Sequence, residues 1–219
     1  MTLRVLLFGA TGSAGGSVLR VCLASPAVVE VRAVTRRPLT LAQDKLRVFV
    51  HDNFLEYGAV ADAFTGVDAC FFCLGISASQ VSGEAEYRRI THGFALAAAD
   101  ALKLYSPAAV FHFISGQGAS LGSRMMWARV KAETERDLID RVEAVCWRPA
   151  FIDGENSQNA PRIYQAIRPL FRLLQPIRSI YIDGQDIGRA MIQATLENER
   201  GRTFENAEIR RIAERDRRL

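Results

Sequence analysis

The chain has 219 residues, 49% of them hydrophobic, which suits one domain with its own core and requires no second one. Its net charge of +4 comes from scattered basic residues, so neither nucleic acid nor membrane is an expected partner. The N-terminal apolar run is short, lacks the basic start of a secretory leader and stops at glycine, which excludes a membrane span there and leads us to expect a cytoplasmic protein.

Residues 4–8 form that apolar run and predict a buried first strand. Gly9, Ala10, Thr11, Gly12, Ser13, Ala14 and Gly15 follow, and then a helical pattern beginning Ser17-Val18-Leu19. Glycine at every third position removes side chains where a phosphate would approach and where the helix packs on the strand, and the helix start offers N–H groups to an anion. The helix ends near Ala24-Ser25-Pro26, and residues 28–34 predict a second buried strand. At its tip stand Arg36 and Arg37, with no acid. An acid there would bond a ribose 2′-hydroxyl, whereas arginine neutralises a 2′-phosphate, so NADP(H) is favoured over NAD(H).

Residues 46–50 predict a third strand. Asp52 then either accepts from an adenine amino group or, with Asn53, caps a turn before a helix running through Phe64. His51 and His92 read as surface or packing residues. Residues 68–74 predict a fourth strand closed by Gly75, where backbone could lie close to a cofactor. Within it Cys70 and Cys73 would face opposite sides, which suits small core residues rather than a disulfide or a metal site. A helix over 84–104, a strand over 109–114, a helix over 125–142 and a short sixth strand at 145–147 complete the alternation. The reading is therefore α/β, a doubly wound parallel sheet with its ligand at the carboxyl ends of the strands. From residue 150 onward the pattern changes. A loop containing Gly154, a helix over 161–174, a short segment at 179–182 and a helix after Asp183-Gly184 suggest a small substrate lid over 150–219. Arg210, Arg211, Arg215, Arg217 and Arg218 read as a solvated helical tail.

Several of these stretches together resemble an atypical short-chain dehydrogenase/reductase. They are Gly9-Ala10-Thr11-Gly12-x-x-Gly15, Arg36, Cys73-Leu74-Gly75, Ser115-Gly116-Gln117-Gly118-Ala119 and Trp127-x-x-x-Lys131-Ala132-Glu133. The branch most resembled is the small NmrA-like and Tat-interacting-protein-like one. Asp186-Ile187-Gly188-Arg189-Ala190 and Phe204-Glu205-Asn206-Ala207-Glu208-Ile209 extend the resemblance over nearly the whole chain. It implies an NAD(P)-binding Rossmann fold, with NADP(H) held by Gly9, Thr11, Gly12, Ser13, Ala14, Gly15, Arg36, Arg37, Asp52, Gly75 and Lys131. It also implies a catalytic serine, tyrosine and lysine.

Ser115 and Lys131 fill two of those three roles, but Trp127 stands at the tyrosine position. An indole N–H donates a hydrogen bond without ionising near neutral pH, so it cannot pass a proton as a phenol does. Trp127 is either a flat wall beside the nicotinamide or a packing residue. Ser115, Tyr87 or a water are the candidate proton donors. The reading is an NADP(H)-dependent oxidoreductase acting on a small carbonyl, as monomer or homodimer. A catalytically silent NADPH sensor and a sugar-nucleotide epimerase stand as alternatives. The substrate pocket is expected from residues 77–84, 151–158 and the helix near Tyr164.

Overall fold

The computed structural model describes residues 2–154 and 180–216. The expected helix over 161–174, with Tyr164, and Arg217 and Arg218 lie outside the described residues.

The central strands are apolar on both faces because both of their faces are covered, whereas the edge strand β3 (Leu46–Val50) has no buried residue. In β1 (Leu3–Phe8), Leu3, Val5, Leu6, Leu7 and Phe8 are buried; so are all four residues of β4 (Ala69–Phe72). With β2 (Val28–Thr35), β3 (Leu46–Val50), β5 (Val110–Ile114), β6 (Val145–Arg148) and β9 (Thr203–Glu205) they form a parallel sheet ordered β3-β2-β1-β4-β5-β6-β9. The order reverses between β1 and β4, and a crevice opens at such a switch point beyond the strand ends.

Alternation along the strands sends side chains into two cores. Leu7, Ala33, Phe71 and Trp147 meet α1 (Ser13–Ala24), α6 (Gly184–Leu196) and α7 (Asn206–Asp216) on one face. Phe8, Val34, Phe72, Phe111 and Phe113 meet α2 (Ala61–Phe64), α4 (Phe94–Tyr105) and α5 (Met126–Val142) on the other. Cys70 belongs to the second core and Cys73 packs against the first, as the two-residue period requires, and burial pushes both thiols up. They are packing groups.

Four details differ from the sequence reading. The fourth strand stops at Phe72 rather than Leu74, because the chain there turns to pass the first glycine. The long helix over 84–104 is three pieces, α3 (Glu84–Arg88), a π turn over Arg89–Gly93 and α4. Residues expected as a loop form β7 (Phe151–Asp153), paired in parallel with β8 (Tyr181–Asp183), since each short run has a neighbour whose backbone needs partners. The arginine-rich end is helical with Arg211 and Arg215 exposed, as expected, but it also packs: α7 is amphipathic, burying Ile209, Ile212 and Ala213 while Arg215 pairs with Glu197 at 3.6 Å. Within the region expected as a lid, β9 pairs with β6, and α6 shares a core with α1.

Candidate functional site

Two hollows lie at the carboxyl ends of β1, β4 and β5. The first is built from backbone. Gly9 turns the chain with φ of +78°, a region L side chains rarely enter, and a Cβ there would stand 2.6 Å from the Cys73 carbonyl oxygen. Gly12 N–H closes the turn by donating to Gly9 O at 2.9 Å, and a Cβ on Gly15 would lie 2.1 Å from that same oxygen. Both glycines are sterically required. Gly75 is not, because a Cβ there meets nothing within 4 Å, although the residue does face the cleft. At the start of α1 the N–H groups of Ser13, Ala14 and Gly15 have no intrahelical acceptor.

The cleft measures about 450 Å³ and is lined by Gly9, Ala10, Thr11, Gly12, Arg36, Arg37, Phe54, Leu74 and Gly75 among others. Arg36 and Arg37 are exposed at the tip of β2 and make no ion pair among the described residues. Asp52 is exposed beyond β3 and does not line the cleft; its neighbour Asn53 accepts the Leu55 N–H at 3.3 Å, the turn-capping arrangement. His51 Nε2 lies 2.7 Å from the carbonyls of Asn53 and Glu56, and His92 pairs with Asp137 at 2.8 Å, so both have structural partners.

The second hollow, about 690 Å³, is built from side chains: Ser115, Trp127, Lys131 and Tyr87, with an apolar side of Ile76, Phe151, Ile152 and Ile180. Of the stretches expected to form the pocket, Ser77, Ala78, Phe151 and Ile152 do so, and residues 155–158 lie outside the described residues. Ser115 follows β5 and is 3% exposed; its Oγ has no hydrogen-bond partner among the described residues. Lys131, on α5, donates from Nζ to the Ile114 carbonyl at 3.3 Å and to the Ser115 carbonyl. Two of its three N–H bonds are thereby placed and the third is left for a ligand. Burial pushes its ammonium down to about 8, with Glu135 opposing. Trp127 lies one turn earlier on the helix. Its ring edge is 3.7 Å from the Cβ position of Gly116, and it forms a wall of the cavity.

Residues that sequence reading passed over hold this cavity in place. Arg148 grips the buried Glu135 with Nε at 2.9 Å and Nη2 at 2.6 Å, and Nη1 reaches Glu205 at 2.9 Å, so α5, β6 and β9 are tied together. Asn206 accepts the Ala150 N–H at 2.8 Å and donates to Tyr181 O at 3.2 Å, joining the cavity wall to β8. Beneath, the buried His112 accepts from Trp147 Nε1–H at Nδ1 (3.2 Å), so its proton sits on Nε2, 3.0 Å from Thr195 Oγ1. Burial pushes that imidazole down to about 3. Asn206 and Glu205 lie in a motif already noted, but their partners are 25 to 57 positions away.

A seven-stranded parallel sheet with a glycine turn at its switch point and a serine and lysine beside it defines an NAD(P)-binding Rossmann protein of the short-chain dehydrogenase/reductase kind. A family described as NAD(P)H-binding matches residues 9–141, and the chain belongs to that family. It also belongs with the Fmp52 proteins. Protein fmp52, mitochondrial, of Aspergillus clavatus is 31% identical over 204 residues, covering 88% of this chain and 86% of that protein. Protein FMP52, mitochondrial, of Eremothecium gossypii is 24% identical, covering 94% and 96%. Those names overturn the cytoplasmic expectation: a short N-terminal apolar run excludes a span in that segment but does not fix a compartment. Among solved structures, a short-chain dehydrogenase/reductase family oxidoreductase from Burkholderia thailandensis shares the fold with a TM-score of 0.71 at 15% identity, covering 94% of this chain and 91% of that one. The Bordetella bronchiseptica enzyme WbmF, in complex with NAD+, also gives 0.71, at 11% identity, covering 99% and 78%.

Proposed function

We propose that the protein is an NADP(H)-dependent oxidoreductase that reduces a small, largely apolar carbonyl compound. The observation that carries this reading is the Ser115 hydroxyl, buried beside the dinucleotide cleft without a partner among the described residues. An unpaired buried hydroxyl costs about 1–3 kcal/mol. A ligand oxygen accepting from Ser115 would relieve that cost, and a carbonyl oxygen gaining charge would relieve it most.

Gly9, Thr11 and Gly12 would hold the pyrophosphate against the start of α1, and Arg36 and Arg37 would neutralise a 2′-phosphate. The spare Lys131 N–H would hold the nicotinamide ribose. The bound reduced nicotinamide supplies hydride; the chain supplies position, the Ser115 hydrogen bond and an apolar wall of Trp127 that excludes water. The relatives' names support a mitochondrial setting. The test is oxidation of NADPH followed by absorbance against a panel of aldehydes, ketones and quinones. Turnover with at least one class is expected, and none above buffer would sink the reading.

Trp127 favours a second reading, a dinucleotide-responsive binding protein without turnover. Trp127→Tyr separates the two. A variant that gains carbonyl reduction absent from the wild type marks a site that holds cofactor only; a variant slower than an active wild type marks Trp127 as part of a working cavity.

A further inference from the structure

We propose that Tyr87 hands the proton to the substrate's oxygen, in the role a phenol at position 127 would otherwise fill; the proposal rests on the oxidoreductase reading above. Tyr87 stands on α3, 2% exposed, and lines the same cavity as Ser115, Trp127 and Lys131. Among the described side chains of that cavity it is the remaining acid. Ser115 and Trp127 do not ionise near neutral pH, and Lys131 already spends two N–H bonds on the end of β5.

The fold holds Tyr87 in register with the other two. Its neighbour Arg88 pairs with Glu133, and Glu84 pairs with Arg129 at 3.1 Å, so α3 is clamped across the helix that carries Trp127 and Lys131. The π turn over Arg89–Gly93 begins two residues later. Such turns insert an extra residue at some energetic cost and recur at functional sites. It carries Thr91, whose buried hydroxyl has no hydrogen-bond partner among the described residues and stands one turn beyond Tyr87. Burial raises the phenol above its ordinary range, so it is protonated at neutral pH.

The reduction balances as follows. Hydride from the reduced nicotinamide dinucleotide forms the new C–H bond, and the carbonyl π pair moves onto oxygen. That oxygen takes the proton from Tyr87 Oη as the phenolic O–H bond breaks. The dinucleotide is oxidised by two electrons, the carbonyl becomes an alcohol, Thr91 donates to the phenolate, and solvent that fills the cavity once the alcohol has left returns a proton to Tyr87 Oη.

The experiment uses the full chain and Tyr87→Phe, with NADPH turnover, calorimetry of NADPH, and calorimetry of benzamide, a carbonyl that is not reduced, on the NADPH complex. Loss of the general acid is expected to lower turnover by about 10²- to 10⁴-fold. Benzamide should bind about tenfold more weakly, the value of one hydrogen bond, with NADPH affinity held. Adding Trp127→Tyr to Tyr87→Phe should restore part of the turnover by putting a phenol back on the cavity wall. Unchanged turnover in Tyr87→Phe overturns the proposal while leaving the oxidoreductase reading intact. So does a parallel loss of NADPH affinity, which would mark a structural residue. Wild type that neither turns over nor binds benzamide removes the oxidoreductase reading and this proposal with it.

Discussion

The cleft at Gly9 and the cavity at Ser115 open at the ends of β1 and β5, on either side of β4, yet they are made of different material. The cleft is backbone: a turn of positive φ, a carbonyl 2.6 Å from where a side chain would begin, and the first N–H groups of a helix. The cavity is side chains from α3, β5, α5 and β7, held by Arg148, Glu135 and Asn206. A backbone site tolerates no side chain at Gly9 or Gly15, where backbone already stands in the way. A side-chain site can in principle exchange a member provided its supports survive.

That contrast can be broken or sharpened by substitution. The largest effect is expected at the cavity's support: Glu135→Ala leaves the Arg148 guanidinium half-buried without its main partner, and breaking a buried pair costs about 3–5 kcal/mol, read as a lower midpoint in urea. Next is Ser115→Ala, which should lower turnover by about 10²- to 10³-fold, as for a lost oxyanion donor, without lowering stability, because it deletes an unpaired hydroxyl. A melting point that falls with the rate would show that Ser115 has a structural partner after all. Gly15→Ala forces a methyl against the Gly9 carbonyl; overpacking costs about 1–3 kcal/mol and should weaken dinucleotide binding by about 10- to 100-fold in calorimetry.

Smaller effects separate the charges of the two hollows. Arg36→Ala should narrow the preference for NADPH over NADH by about tenfold, one exposed charge-assisted contact, leaving NADH affinity unchanged. Lys131, pushed down to about 8, loses its proton as pH rises through that value. Turnover should therefore decline above about pH 8 in the wild type, and Lys131→Met, already slow, should lack that limb.

Much of the cleft is legible in the amino-acid sequence. Strand, glycine turn and helix are contiguous, and the spacing of Gly9, Gly12 and Gly15 encodes a steric requirement that one short stretch can state. Arg36 and Arg37 follow because a strand tip is a position along the chain. Ser115 and Lys131 are legible through the same alternation of strand and helix. Asp52 is open between two roles in the sequence, and in the fold it stands exposed beyond β3. The π turn is hidden, since its residues continue the helical pattern without interruption. His112 is invisible too: its partners lie 35 and 83 positions away.

The sequence by itself determined a parallel doubly wound sheet and the place of its dinucleotide turn, because hydrophobic period and glycine spacing act over a few residues. Tertiary structure alone decided which side chains share the second cavity, that β9 closes the main sheet, and that the arginine-rich end packs as a helix. Those outcomes depend on groups brought together across many positions, where the deciding quantities are desolvation and the pairing of buried polar atoms, and neither is written in any single stretch of chain.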